Sequence, residues 1–578
     1  MGRKDLARAF EEIGELLELK GENPFKIKAY DQAARIVLKL EEDPADLVAR
    51  GELTGIKGIG KALSEKITEY VQTGRIAYLE DLRGAYPESL FELFKLKGLG
   101  AKKIKTLYED LHISSLGELE YACLENRLAA LKGFGPKSQA NVLESIDTLK
   151  KYRGRFLWSE AEGPMLGLIQ ALRGLPGVRL VEPAGEFRRL CETVGQAEVA
   201  VGCDRPDKLA GLLKDLPDIE AVQAEGPNAW LLAHTFGLQI KITAASVENF
   251  PRLWHHLTGN QDHLDALERH AAAKSWAIDG EKWLDPAGKA FTPSNEADLY
   301  AALGLAYIPP ELREGLGEIE AAASGTLPEL IEPSDIQGVF HVHSGYSDGG
   351  QTLAEIVAAC QKLGYTYVGL SDHSRTAMYA GGLSLEDLDR QRAEVEALRA
   401  AHPGFVVFWG IESDILPDGS LDYPDNILAR FDFVIASVHS NFSQTEARQT
   451  ERLVNAVRNP YTTILGHMTG RLLLAREPYR FDAGAVFQAA VESGVVLEIN
   501  ASPHRLDLDW REMRRAKALG LKTMIDPDAH SAEGLADVRY GLQVARKGWL
   551  TKADVLNALD ADELRAFLEA RRKRKGKA

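Results

Sequence analysis

Val339-Phe340-His341-Val342-His343 sets two histidines at alternate positions of an apolar run, and similar placements recur over about 190 residues. Asp348 follows, then Ser371-Asp372-His373, Gly410-Ile411-Glu412, Val438-His439, Gly466-His467 and Asp528-Ala529-His530. Residues two apart in a strand face one side, so His341 and His343 are expected to reach one metal while Val342 packs the other way. Apolar runs at 367–370, 405–409, 433–436, 463–465, 495–499 and 522–525 alternate with helical segments such as 384–401 and 447–458, a pattern that argues for a parallel α/β barrel. Most of these runs carry a candidate ligand just beyond their carboxyl ends, where barrels of this class assemble their sites. A lone histidine is more often an ordinary core or surface residue. Six histidines and three carboxylates in equivalent places favour a metal centre, and mixed imidazole and carboxylate ligation suits manganese, zinc or iron rather than calcium.

The 578 residues exceed one core, and a prior of one domain per ~150 residues predicts three to five. With 69 basic and 85 acidic residues the net charge is -16, which disfavours a general polyanion-coating role and requires any nucleic-acid contact to come from specific elements. Cys123, Cys191, Cys203 and Cys360 show neither a disulfide rhythm nor CxxC spacing, so free thiols in a reducing cytosol are expected. There is no long apolar segment, and the start leads into an amphipathic helix, which predicts a cytoplasmic chain with no membrane partner.

Three short repeats mark the first 150 residues: Gly58-Ile59-Gly60-Lys61, Gly98-Leu99-Gly100-Ala101-Lys102 and Gly133-Phe134-Gly135-Pro136-Lys137. Each lies between two helical patterns. The glycines permit a tight turn, the apolar middle residue anchors it, and the amides opening the second helix are expected to cradle a phosphate beside the lysine. Lys and Arg number 23 here against 25 Asp and Glu, so binding would come from the hairpins rather than from a basic surface. The repeats resemble helix-hairpin-helix motifs, which implies DNA-backbone contacts through Gly58, Gly60, Lys61, Gly98, Gly100, Lys102, Gly133, Gly135 and Lys137.

Lys20-Gly21-Glu22-Asn23-Pro24-Phe25-Lys26-Ile27-Lys28-Ala29-Tyr30 resembles the amino-terminal lyase-type domain of family X DNA polymerases. The resemblance places a possible Schiff-base lysine at Lys66. It continues through Ala184-Gly185-Glu186-Phe187-Arg188-Arg189, Glu192-Thr193-Val194-Gly195-Gln196-Ala197-Glu198, Leu257-Thr258-Gly259-Asn260 and the run Leu303 to Glu314, and implies a polymerase palm and thumb. Gly185, Arg188, Arg189, Thr258 and Gly259 would then meet a nucleotide. The family's three catalytic aspartates correspond to Gln196, Glu198 and Lys241, so the charge that holds two divalent ions falls from three negatives to about zero. Glu186 stands where the family has a phosphate-meeting serine. A Lys241–Glu198 pair is expected in the place of the ions.

The carboxyl-terminal series resembles the polymerase and histidinol phosphatase (PHP) domain, a distorted (β/α) barrel. Its metal set implies His341, His343, Asp348, His373, Glu412, His439, His467, Asp528 and His530 as ligands to up to three divalent ions, with His341, His343, Asp348, Glu412 and Asp528 central to catalysis. Manganese is the expected activating ion, with zinc or iron as alternatives. Arg375, His504 and Arg505 lie near these loops as candidates to orient a phosphate.

The expected organisation is therefore multidomain α/β: a helical lyase-type domain (1–85), a helix-hairpin-helix domain (86–150), palm (151–245), thumb (246–318), linker (319–335), PHP barrel (336–570) and a disordered basic tail (571–578). The leading functional reading is a monomeric DNA-repair protein of the base-excision type, acting as a metal-dependent 3′-5′ exonuclease on gapped, nicked or 3′-ended DNA, with a degenerate polymerase site. A gap-filling polymerase with associated exonuclease, a small-molecule phosphatase and a non-catalytic DNA-binding scaffold are the alternatives.

Overall fold

A computed structural model describes residues 3–575 apart from 39, 41, 97, 129–130, 132–133, 151–153 and 280–281. The chain forms two compact units, residues 1–148 and 149–578. The first is helical. Arg3–Lys20 and Pro24–Leu38 pack together through Phe10, Ile13, Ala33, Ala34 and Val37, all fully buried, and the shorter helices Lys61–Thr73 and Ala101–Leu111 each follow a Gly-apolar-Gly turn.

The second unit begins with a five-stranded sheet: β1 (Val178–Ala184), β2 (Gln196–Cys203), β3 (Ile219–Gly226), β4 (Ala229–His234) and β5 (Gln239–Ala245), in the order β1-β2-β5-β4-β3. β2 and β5 run parallel, with Glu198 directly opposite Lys241, and the other pairs are antiparallel. Helix Trp158–Arg173 packs on β1. Helices Phe250–Thr258, Gln261–Ala273 and Glu296–Ala302 follow, the last two contributing to a core that includes Leu267, Trp283, Leu299 and Tyr300.

Residues 319–335, expected to be a linker, are instead packed structure. Helix Glu318–Ser324 buries Ile319 and Ala322, Leu330 joins the same core, and the Ile331 amide donates to Leu550 O at 3.0 Å. Their small apolar residues lack a long period because only one short face needs covering.

Seven parallel strands then follow in simple order: β6 (Gly338–Val342), β7 (Tyr367–Leu370), β8 (Val406–Asp414), β9 (Phe433–Ser437), β10 (Ile464–Leu465), β11 (Val496–Asn500) and β12 (Thr523–Asp526). They are buried almost throughout, as parallel strands covered on both faces must be. The barrel is drawn together between β6 and the end of β12 with the segment that follows: Phe340 N donates to Asp526 Oδ1 at 2.9 Å, His343 N to Ala529 O at 2.9 Å, and Ala529 N to His341 O at 3.1 Å. Below the site the interior is filled with rings. Phe340 and Phe433 are 4.3 Å apart, and a Cβ on Gly369 or Gly410 would lie 2.4 Å from one of these rings, so both positions require the missing side chain.

The basic tail is also not as expected. Helix Ala561–Lys575 runs through most of it, Leu564 and Leu568 join the ring-filled core, and Arg571 and Arg572 donate to backbone carbonyls of Ser493 and Ala429. The arginines cap open carbonyls, and Gly576-Lys577-Ala578 lie outside the described residues.

Candidate metal centre

All nine expected ligands lie at the carboxyl ends of the barrel strands and converge. Four overlapping groups place their ligand atoms within 4.8 Å of one another: His343, Asp348, His373 and His530; His341, Glu412 and His467; His341, His343 and Asp528; and His373, Glu412 and His439. Glu412, on β8, belongs to two of them. Its Oε1 is 3.1 Å from His341 Nε2, 3.2 Å from His439 Nε2 and 2.9 Å from His467 Nε2, and its Oε2 is 2.9 Å from His373 Nδ1.

The route to this convergence differs from regular strand alternation. β6 is irregular between Val339 and Val342, and His341 sits at φ 53, the left-handed region that non-glycine residues avoid. Val342 does pack into the core, but His341 reaches the cluster through this bulge. Asp528 has the same φ of 53. Such conformations cost about 1–3 kcal/mol each and persist where the surroundings impose them, commonly at functional sites.

The donor set fits divalent cations. His341 Nε2, His343 Nδ1, His373 Nδ1 and Glu412 Oε2 are buried without a well-formed hydrogen bond. His373 Nδ1 and Glu412 Oε2 are 2.9 Å apart yet not aligned as donor and acceptor, the arrangement expected of two donors aimed at a common third point. The carboxylates of the cluster favour positive charge, which protons on the imidazoles and divalent cations would contest. Burial opposes charge on Glu412, but His439, His341 and His373 outweigh it and hold its carboxyl well below the usual range. Burial likewise opposes charge on His439, whereas Glu412 and Asp414 raise it to about 9. Burial and the Arg505 guanidinium push His467 down to about 3, leaving a neutral imidazole.

Several supporting residues escaped sequence reasoning. Glu498, on β11, lies 2.5 Å from His341 Nδ1 and accepts from His467 N at 2.6 Å. Asp414 Oδ1 is 2.7 Å from His439 Nδ1, and Asn500 Nδ2 donates to Asp528 Oδ2 at 3.0 Å. Buried Asp372 accepts from Ser344, Ser347 and Gln391, fixing the loop that leads to Asp348. A carboxylate inside an otherwise apolar strand was the available signal for Glu498. Of the candidates for phosphate, Arg375 is 58% exposed, Arg505 Nε is buried 3.7 Å from Asp528 Oδ2, and the backbone of His504 accepts from Leu473 N.

The polymerase-like residues are arranged otherwise. Lys241 pairs with Glu225, at 3.8 Å, and not with Glu198 as expected, although burial raises the Glu198 pKa against the pull of Lys241. Glu198 packs against Gly185, whose φ of 57 disfavours a side chain and whose added Cβ would displace the Glu198 carboxylate. Gln196 is the exposed first residue of β2. Arg188 makes two hydrogen bonds to Glu296, donates to Thr258 Oγ1 and stacks on Trp254, while Arg189 bonds to Glu314 and Thr258 O. These donors, expected to meet a nucleotide, join palm to thumb, and Thr258 and Gly259 lie within that joint. Glu186 accepts from Gly195 N and pairs with Arg155.

In the first unit, Gly58 and Gly98 have φ of 100 and 87, Ile59 and Leu99 are buried, and Gly60 and Gly100 open their helices without a side-chain cap. Lys61, Lys102 and Lys137 are exposed. Gly133 lies outside the described residues, and Gly135 precedes helix Pro136–Lys150. Lys66 Nζ stands 4.9 Å from the Tyr78 ring centroid.

Comparison with known proteins finds matches in both units. A helix-hairpin-helix domain model matches residues 1–76, a SAM-like helix-hairpin-helix tandem matches 50–112 and 90–148, a DNA polymerase beta thumb matches 253–314, and a PHP domain matches 340–502. A Bacillus subtilis protein named DNA polymerase/3′-5′ exonuclease PolX is 36% identical over 98% of this chain and 100% of its own length. A Thermoanaerobacter protein named a probable phosphatase is 28% identical over 39% of this chain and 91% of its own. Another, from Caldanaerobacter subterraneus, is 30% identical over 30% of this chain and 69% of its own. With thumb, hairpins and barrel each matched and one relative aligned end to end, the chain belongs to the family X DNA polymerases that carry a carboxyl-terminal PHP domain.

Proposed function

We propose that the chain is a divalent-metal-dependent nuclease that shortens DNA from 3′ ends during repair, with the hairpins holding the backbone and the barrel cleaving it. The convergence of nine buried or part-buried imidazoles and carboxylates, several of them aimed at common points, carries this reading. Divalent ions bound there supply an acidified water and neutralise charge on the phosphodiester. The chain's own contribution is to fix the donors. Glu498 and Asp414 orient His341 and His439, and the depressed pKa of Glu412 keeps it ionised for binding. Manganese is the proposed activating ion, with as many as three ions in the cluster. The uncapped helix starts at Lys61 and Ala101 suit phosphate binding without sequence readout.

Polymerase activity is proposed to be weak or lost. Gln196, Glu198 and Lys241 supply little net negative charge, and Arg188 and Arg189 are engaged with Glu296 and Glu314. A labelled gapped duplex with manganese, with and without nucleotides, tests both halves of the proposal. Shortening is expected in either case. Substituting His341, His343 and Asp528 together with alanine should lower cleavage at least a thousandfold and release metal, with DNA binding retained. Nucleotide-dependent lengthening abolished by Glu198→Ala would overturn the polymerase half, and cleavage that survives in the folded, metal-free triple variant would overturn the nuclease half. Preference for a sugar phosphate over DNA would favour the phosphatase reading.

A further inference from the structure

The loop from Ser374 to Leu383 stands beside the metal ligands and is held from several sides. Ser374 N donates to Glu412 O at 2.9 Å, Thr376 N to Asp422 Oδ2 at 2.7 Å, Thr376 Oγ1 to Asp414 Oδ2 at 2.8 Å, and Leu383 N to His373 O at 2.9 Å. At Gly382 a Cβ would fall 1.9 Å from Ser374 O, so the loop closes on itself without room for a side chain. On this frame Tyr379 is half-buried, its ring centroid 6.3 Å from that of His373 and 6.5 Å from that of His439. Its neighbour Met378 is 86% exposed, the most exposed of the large apolar side chains described. Arg375, on the same loop, is 58% exposed, with one guanidinium nitrogen 3.7 Å from Asp422 Oδ1 and the rest of the group open to solvent.

Tight anchoring of an apolar tip calls for a partner that the free protein does not provide. The backbone is held on both sides of Met378, whose side chain stands outward from it. We propose that Tyr379 and Met378 form a stacking platform for the terminal nucleobase of a DNA 3′ end, with Arg375 facing the adjoining phosphate. Every base offers an apolar face, so an aromatic ring with a polarizable thioether beside it grips a chain end without reading its identity. The positive charge of Arg375 complements the polyanion. The platform would select DNA ends over small phosphate esters, which have no base to stack. This inference rests on the nuclease reading and specifies the substrate feature recognised beside the same centre.

The test compares kcat/KM for a single-stranded oligothymidylate with kcat/KM for bis(p-nitrophenyl) phosphate, both with manganese. Tyr379→Ala and Met378→Ala are each expected to lower the ratio of the two on the order of tenfold, the loss falling on KM for the oligonucleotide, with Tyr379→Phe restoring it. An oligonucleotide ending in an abasic residue should lower the same ratio in the wild-type protein, and that loss should not add to the loss in Tyr379→Ala. Because Met378 is largely exposed, its substitution probes the surface and not the packing of His373. A ratio unaltered in both alanine variants would overturn the platform while leaving the nuclease reading in place. A wild-type protein inactive on both substrates would overturn the nuclease reading itself.

Discussion

One carboxylate, Glu498, ties two ligand loops together: Oε1 lies 2.5 Å from His341 Nδ1, and Oε2 accepts from His467 N at 2.6 Å. The first contact selects the tautomer of His341 that leaves Nε2 facing the cluster, and the second fixes the turn that carries His467. Glu498→Gln keeps the volume but replaces one acceptor with an NH2 group, so either His467 N loses its acceptor or His341 Nδ1 must accept and its proton move to the cluster-facing Nε2. Manganese affinity is expected to fall about 10- to 100-fold, read by direct titration of the apoprotein, with the fold retained by circular dichroism. An affinity equal to that of the wild type would remove Glu498 from this role. The convergence of these nine side chains was legible in sequence because imidazoles and carboxylates gathered at strand ends are chemically conspicuous. Glu498, Asp414 and Asn500 were not, because they act through other side chains and a single polar residue in an apolar strand has many ordinary explanations.

At the scale of elements, hydrophobic periodicity located the barrel strands but not the devices that aim them. The left-handed His341 and the pairing of 341–343 with Ala529 depend on how β6 meets the segment after β12, a contact between residues nearly 190 positions apart. The misjudged linker and tail have a related cause. Segments 319–335 and 571–572 each meet a neighbour through few side chains, too few to imprint a period. Helix Glu296–Ala302 shows what a long-range contact does to charge: Glu296 accepts from both Arg188 and Arg313, and although burial opposes its ionisation, the two guanidiniums hold its pKa at about 2 against an ordinary 4.5. A depressed carboxylate stabilises the fold above its unfolded pKa and loses that contribution as pH falls through the folded value. The ion pairs should therefore contribute about 3 kcal/mol at neutral pH, declining between pH 4.5 and 2. Glu296→Gln is expected to lower the melting temperature of the second unit at pH 7 and to lie closer to the wild type at pH 3. An equal deficit at both pH values would count against the assignment.

The second unit as a whole places polymerase-like body and barrel in one compact structure, and helix Val538–Lys547 is the principal joint. Lys547 is 2% exposed. Its Nζ lies 2.5 Å from Glu314 Oε1 and donates to Arg189 O at 2.9 Å, while Arg546 binds Glu311 and Glu332, and Arg539 binds Glu162. The residues that resembled a triphosphate clamp thus belong to a network reaching from palm to thumb to barrel. Burial of several charges costs more than a hydrophobic contact would, but removing one partner leaves the others uncompensated, at about 3–5 kcal/mol. Lys547→Ala exposes that dependence because Glu314 would keep Arg189 as its one close cation, beside Asn260 and the Cys191 thiol, and the Arg189 carbonyl would lose its donor. Calorimetry is the direct measurement. If the joint couples body to barrel, the wild-type second unit melts in one transition, and Lys547→Ala separates it into an earlier melting of palm and thumb and a later melting of the barrel. A uniform downward shift of one undivided transition would mean that Lys547 supports local packing only, and that the coupling of body to barrel resides in the apolar contact between Trp158 and Tyr540 and the remaining ion pairs.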